Sequence, residues 1–101
     1  MDWNSLSNAN VIQEIGVRLK KQRINKKMTQ QQLAEKAGVS LFTIAQIERG
    51  KSVSLSMLVA VLRVLRLLDN LDLLLPESKI SPVALMKQQQ KVIKRVRPKR
   101  Y

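Results

Sequence analysis

The sequence contains neither cysteine nor histidine. Zinc sites draw on those two side chains and nucleophilic hydrolases on an imidazole base, so metal-hydrolase, thiol and Ser-His chemistries are excluded. No paired acid and base or nucleophile constellation replaces them, and the chain is expected to be no enzyme, with no catalytic residue, no metal site and no cofactor. Lack of cysteine also rules out a disulfide and accords with a reducing compartment. Glycine and proline number only three each, and Trp, Tyr and Phe one each, in 101 residues. Little material is left for tight turns or strands. No apolar run approaches the ~18 residues of a membrane span, and Met1-Asp2-Trp3-Asn4-Ser5 shows no basic segment leading into an apolar one. The expectation is a cytoplasmic protein that does not engage a membrane.

Acidic charge is scarce as well. Seven Asp and Glu face 19 Lys and Arg, a formal net charge of +12, which points to a polyanionic partner. The excess is unevenly spread: residues 1–75 hold 11 basic and 6 acidic side chains, whereas residues 76–101 hold 8 and 1. The latter stretch starts with Pro76 and Pro82 and ends KQQQKVIKRVRPKRY from Lys87, a composition that buries little apolar surface. Three regions are therefore expected: an N-terminal extension over 1–10, a globular domain over 11–75 and a basic tail over 76–101.

What is abundant is a helical vocabulary of Leu, Val, Ala, Lys and Gln. A first helix is expected from about Asn10, as N-cap, to Asn25, with Ile12, Ile15, Leu19 and Gly16 on one face. Thr29 with Gln32 forms a capping box for a short helix over Gln30 to Ala37. Gly38 ends it in a left-handed conformation. Ser40 caps the next, Leu41 to Glu48, which Gly50 closes. Ser54 caps a fourth helix carrying Leu55, Leu58, Val59, Val61, Leu62 and Leu65, and Asp69 a fifth, short one through Leu75.

Two eight-residue helices joined by Gly38-Val39-Ser40 make a helix-turn-helix, and TQQQLAEKAGVSLFTIAQIERGK resembles the phage-repressor (Cro/XRE-like) family. Ala34 sits where the two helices cross, and Leu33, Val39, Ile44 and Ile47 fill the core beneath. The resemblance covers roughly residues 12 to 75; Ser52-Val53-Ser54 departs from a proline common after the Gly-Lys pair. It implies an all-α, five-helix phage-repressor-like DNA-binding domain with a basic C-terminal tail, encoded by a bacterium or phage and nucleoid-associated. It also implies an ion pair between Arg23 and Glu48, and a phosphate braced by Gln30 at a helix start.

On a helical wheel Ile44 and Ile47 define the buried side of the third helix. Phe42, Ala45, Gln46 and Arg49 lie opposite, with Leu41 and Thr43 at the margins. Phe42, Thr43, Ala45 and Gln46 are therefore the expected base-reading residues: Gln46 pairs with adenine, Phe42 and Ala45 pack on thymine methyl or sugar. Arg49, Lys51 and Ser52 are expected on the phosphates, with Arg18, Lys26 and Lys27 as secondary candidates. Leucines from 65 to 75 exceed what one face of a short helix needs, and Leu71, Leu74 and Leu75 are assigned to a two-fold interface as the family implies.

The expected function is sequence-specific regulation of transcription, as a repressor binding a palindromic operator in double-stranded DNA as a homodimer. The alternative is an antitoxin that autoregulates its operon and holds a toxin; a third class uses the same fold and basic tail on RNA or as a bridging coactivator.

Overall fold

Four hydroxyl side chains start four helices. Ser7, Thr29, Ser40 and Ser54 each stand in extended backbone and accept a hydrogen bond from the N–H three residues on, satisfying a donor that the first helical turn leaves open. In the computed structural model, which describes residues 1–78, the helices are α1 (Asn8–Asn25), α2 (Gln30–Ala37), α3 (Leu41–Glu48), α4 (Leu55–Val64) and α5 (Leu71–Leu74), with single 3-10 turns at Trp3–Ser5 and Leu68–Asn70. No strand occurs among the described residues. Of the tail assigned to 76–101, residues 79–101 lie outside them.

Residues Met1–Leu71 form one compact unit, and the chain from Asp72 belongs to another. In the first unit Leu19 of α1, Leu33 and Ala34 of α2, Ile44 and Ile47 of α3, Val61 of α4 and Leu65 just beyond it make the buried core. Ile15, Met28, Val39, Val53, Leu58 and Leu62 pack around it, half-buried. Small residues set the closest approaches. A Cβ on Gly16 of α1 would collide with the backbone carbonyl of Ile47, so α1 and α3 meet backbone to backbone at that point.

Two boundaries depart from the sequence expectation. Helix α1 starts three residues early: Ser7 Oγ accepts from the Asn10 N–H at 3.1 Å, so Asn10 lies inside the helix rather than capping it. The residues before it are also ordered against the domain, with the Arg18 guanidinium 4.6 Å from the Trp3 ring centroid and paired to Glu14 at 2.9 Å. Asp69 does not cap α5; it sits within the 3-10 turn, which has no side-chain cap, and only four α-helical residues follow.

Every one of the four longer helices ends in the same pattern, a left-handed residue whose N–H and whose successor's N–H close back on the last turn. In α2, Gly38 (φ 71°) takes this position, with Val39 N–H on Ala34 O at 3.1 Å and Gly38 N–H on Glu35 O at 3.3 Å. In α3, Gly50 (φ 79°) does so, with Lys51 N–H on Gln46 O at 2.9 Å. In α1 and α4 the left-handed residue is instead a cation, Lys27 (φ 58°) and Arg66 (φ 59°). Met28 N–H bonds Arg23 O at 3.2 Å, and Leu67 N–H bonds Leu62 O at 2.9 Å.

Candidate nucleic-acid interface

The turn Gly38-Val39-Ser40 fixes how α3 leaves α2. Gly38 accepts positive φ without a Cβ penalty, Val39 is half-buried against the core, and Ser40 caps α3 through the Thr43 N–H at 3.0 Å. At the other end of α3 the Glu48 carboxylate is tied to two further helices. Arg23 donates from Nε to one oxygen at 2.7 Å and from its terminal nitrogen to the other at 3.1 Å. Gln30 Nε2 donates to that second oxygen at 3.0 Å. The remaining Arg23 nitrogen donates to the Met28 carbonyl at 2.7 Å.

The Arg23 and Glu48 side chains are 10% and 6% exposed. A forked guanidinium-carboxylate pair in that setting is directional and poorly screened, and removing one partner strands a buried charge. The pair named from the resemblance is thus present, and it joins α1, α2 and α3 through one carboxylate.

Held at both ends, α3 turns Ile44 and Ile47 inward and presents Phe42, 69% exposed, and Leu41, 46% exposed, to solvent. Ala45 and Gln46 lie half-buried between core and surface. The Gln46 amide forms none of the side-chain hydrogen bonds found among the described residues, in contrast to Gln30, Gln31 and Gln32, which are all engaged. Its donor and acceptor are thus without a partner among the described residues.

Thr43 does not join this face. It is 6% exposed, its Oγ1 lies 2.9 Å from Ser40 Oγ, and it donates to Met57 Sδ at 3.8 Å. The wheel put it at a margin; contact with α4 and the cap takes it inward. Leu41, placed at the other margin, stays exposed: it is the first residue of α3, where no preceding turn covers it.

Arg49, Lys51 and Ser52 are exposed beyond the end of α3. Gln30 is half-buried with its amide committed to Glu48, so what it offers outward is its place at the start of α2. In the segment assigned to a two-fold interface, Leu71 is half-buried, while Leu74 and Leu75 are 71% and 69% exposed. Leu73, not singled out from the sequence, is 84% exposed; the unbroken run Leu73-Leu74-Leu75 was the available signal.

No group of acidic side chains capable of holding a metal occurs among the described residues, and no helix among them is long and apolar enough to cross a membrane. A helix-turn-helix family model matches residues 19–68, from the second half of α1 through α2, α3 and α4 to the 3-10 turn. A search of curated proteins gave no match.

Proposed function

Because the chain belongs, through residues 19–68, to the Cro/XRE-like helix-turn-helix family of DNA-binding transcriptional regulators, we propose that it is a repressor whose α3 enters the major groove of a palindromic operator. The observation that carries this reading is an outward face of α3 that is almost uncharged and held by the Glu48 clamp. Gln46 reads a base edge, and Leu41, Phe42 and Ala45 pack on thymine methyls or sugars. Arg49, Lys51 and Ser52, with the start of α2 at Gln30, hold phosphates and set register without reading sequence.

The exposed Leu74 and Leu75, with Leu71, support a homodimer whose two α3 helices lie about one DNA turn, ~34 Å, apart. Such a protein acts in the cytoplasm, on the nucleoid. The same exposed leucines support a second reading, an antitoxin that covers them with a toxin; co-purification of a small protein at equal stoichiometry, in place of a homodimer, would select it. Selection of bound duplexes from a random pool at about 150 mM salt tests the leading reading. An inverted repeat is expected, and recovery of no consensus, or of a single asymmetric site, overturns the dimeric repressor.

A further inference from the structure

Away from the residues assigned to DNA reading, the domain carries an open cleft of about 590 Å³ lined by Lys26, Met28, Lys36, Arg63, Val64 and Arg66. Four of its six lining side chains are cations, drawn from the end of α1, from α2 and from the end of α4. No carboxylate lines it. The two ion pairs found among the described residues, Arg18–Glu14 and Arg23–Glu48, use none of the four, and residues 79–101 contain no Asp or Glu.

The backbone adds an independent observation. The two non-glycine residues of positive φ among the described ones are Lys27 and Arg66. Arg66 lines the cleft and Lys27 follows Lys26, which does. An L-residue in this conformation costs about 1–2 kcal/mol, and glycine, used for the same turn at Gly38 and Gly50, would avoid that cost. The negative end of each helix dipole attracts a cation, which accounts for one charge per helix end, Lys36 in the last turn of α2 included, but not for both Arg63 and Arg66 at the end of α4.

We propose that this cleft binds the phosphodiester backbone of a nucleic acid, as a sequence-blind site separate from the outward face of α3. The proposal rests on the DNA-binding reading above. Its lining side chains supply donors and positive charge with no side-chain acceptor beyond the weak Met28 thioether. Four backbone acceptors at the helix ends beside it are also taken: the carbonyls of Arg23 and Ile24 by Met28 and Lys27, those of Leu62 and Arg63 by Leu67 and Arg66. A phosphodiester presents only acceptors and fits such a site, whereas an acidic peptide brings amide N–H groups that would find no partner.

The test compares the full chain with the Lys36→Gln/Arg63→Gln/Arg66→Gly variant, in which the glycine relieves the strained backbone and protects the fold; thermal melting checks it. A 20-base-pair duplex of random sequence is titrated across a salt series, and polyglutamate serves as the competing polyanion. The slope of log affinity against log salt is expected to fall in magnitude by about 2–3, and affinity at low salt by about tenfold, because each phosphate contact contributes ~0.9 to that slope. The preference for operator over random duplex should persist. An unchanged slope in a folded variant overturns the cleft alone, and so does loss of polyglutamate binding with the duplex slope intact, which would assign an acidic protein. A wild-type chain that binds no duplex overturns the cleft and the regulator reading together.

Discussion

The two faces of the domain carry charge in opposite ways. Around α3 the charges of Arg23 and Glu48 are withdrawn into a buried clamp with Gln30, and the outward side chains Leu41, Phe42, Ala45 and Gln46 are neutral. At the ends of α1, α2 and α4, four cations line one cleft with no carboxylate among them. Helix ends follow the same division, with glycine in the left-handed position after α2 and α3 and a cation after α1 and α4. In the proposed reading the difference separates two tasks that the net charge of +12 merges: uncharged contacts would discriminate between bases, while the cations would set strength and salt dependence.

The largest test of that division breaks the clamp. Glu48→Ala leaves Arg23 buried without its acid and frees Gln30, and loss of one partner of a buried pair costs about 3 kcal/mol. Thermal denaturation should show it, together with loss of sequence-specific binding as α3 loses its anchor. A variant as stable as the parent would make the pair an ordinary surface contact and the contrast between the faces accidental. Close behind stands Gly16→Ala, whose methyl meets the Ile47 carbonyl. Either α1 shifts or α3 tilts, at about 1–3 kcal/mol, and a denaturant titration measures it.

On the reading face, Gln46→Ala should cost about 1–3 kcal/mol of operator affinity and relax one base-pair preference, with the salt slope unchanged. Lys51→Ala should do the converse, weakening all sequences alike and reducing the slope by about 0.9. Base-preference profiles of the two variants at matched salt distinguish them. If Gln46→Ala left the profile intact, specificity would have to lie with the apolar contacts of Leu41 and Phe42.

Much of this arrangement is legible in the chain because it depends on local chemistry. Thr29 and Gln32 announce the start of α2, Gly38 and Gly50 announce two helix ends, and the apolar spacing of Leu33, Ala34, Ile44 and Ile47 marks the core. Features that depend on contacts between distant segments are not legible in the same way. Thr43 is taken inward by Met57, fourteen residues away, and Gln30 is claimed by Glu48 across the domain. Ser7 is masked as a cap because Asn10 and Gln13 imitate one, while the turn at Trp3–Ser5 that leads into Ser7 is held on α1 by Arg18. Lys27 and Arg66 carry no local mark of positive φ at all, since glycine is the usual sign of it, and the cleft between their helices exists only once α1, α2 and α4 have packed.

The smallest effects lie at those helix ends, and their signs are opposed. Lys27→Gly removes a left-handed L-residue that is not needed for the core, and should stabilise by up to about 1 kcal/mol after the greater unfolded-state freedom of glycine is offset. For a domain of this size that is a rise in melting temperature of roughly 4–8 °C. Gly38→Ala should lower stability by a similar amount although its Cβ would stand in open space, since the cost is conformational and not steric. Gly50→Ala should cost more than Gly38→Ala, because its Cβ would also press on Gln13. Melting curves for the three variants settle the point: a Lys27→Gly variant less stable than the parent would mean that the cation at the end of α1 contributes more through the helix dipole than its backbone strain costs. The cationic helix ends would then be structural devices, with no surplus left to point to a bound phosphate.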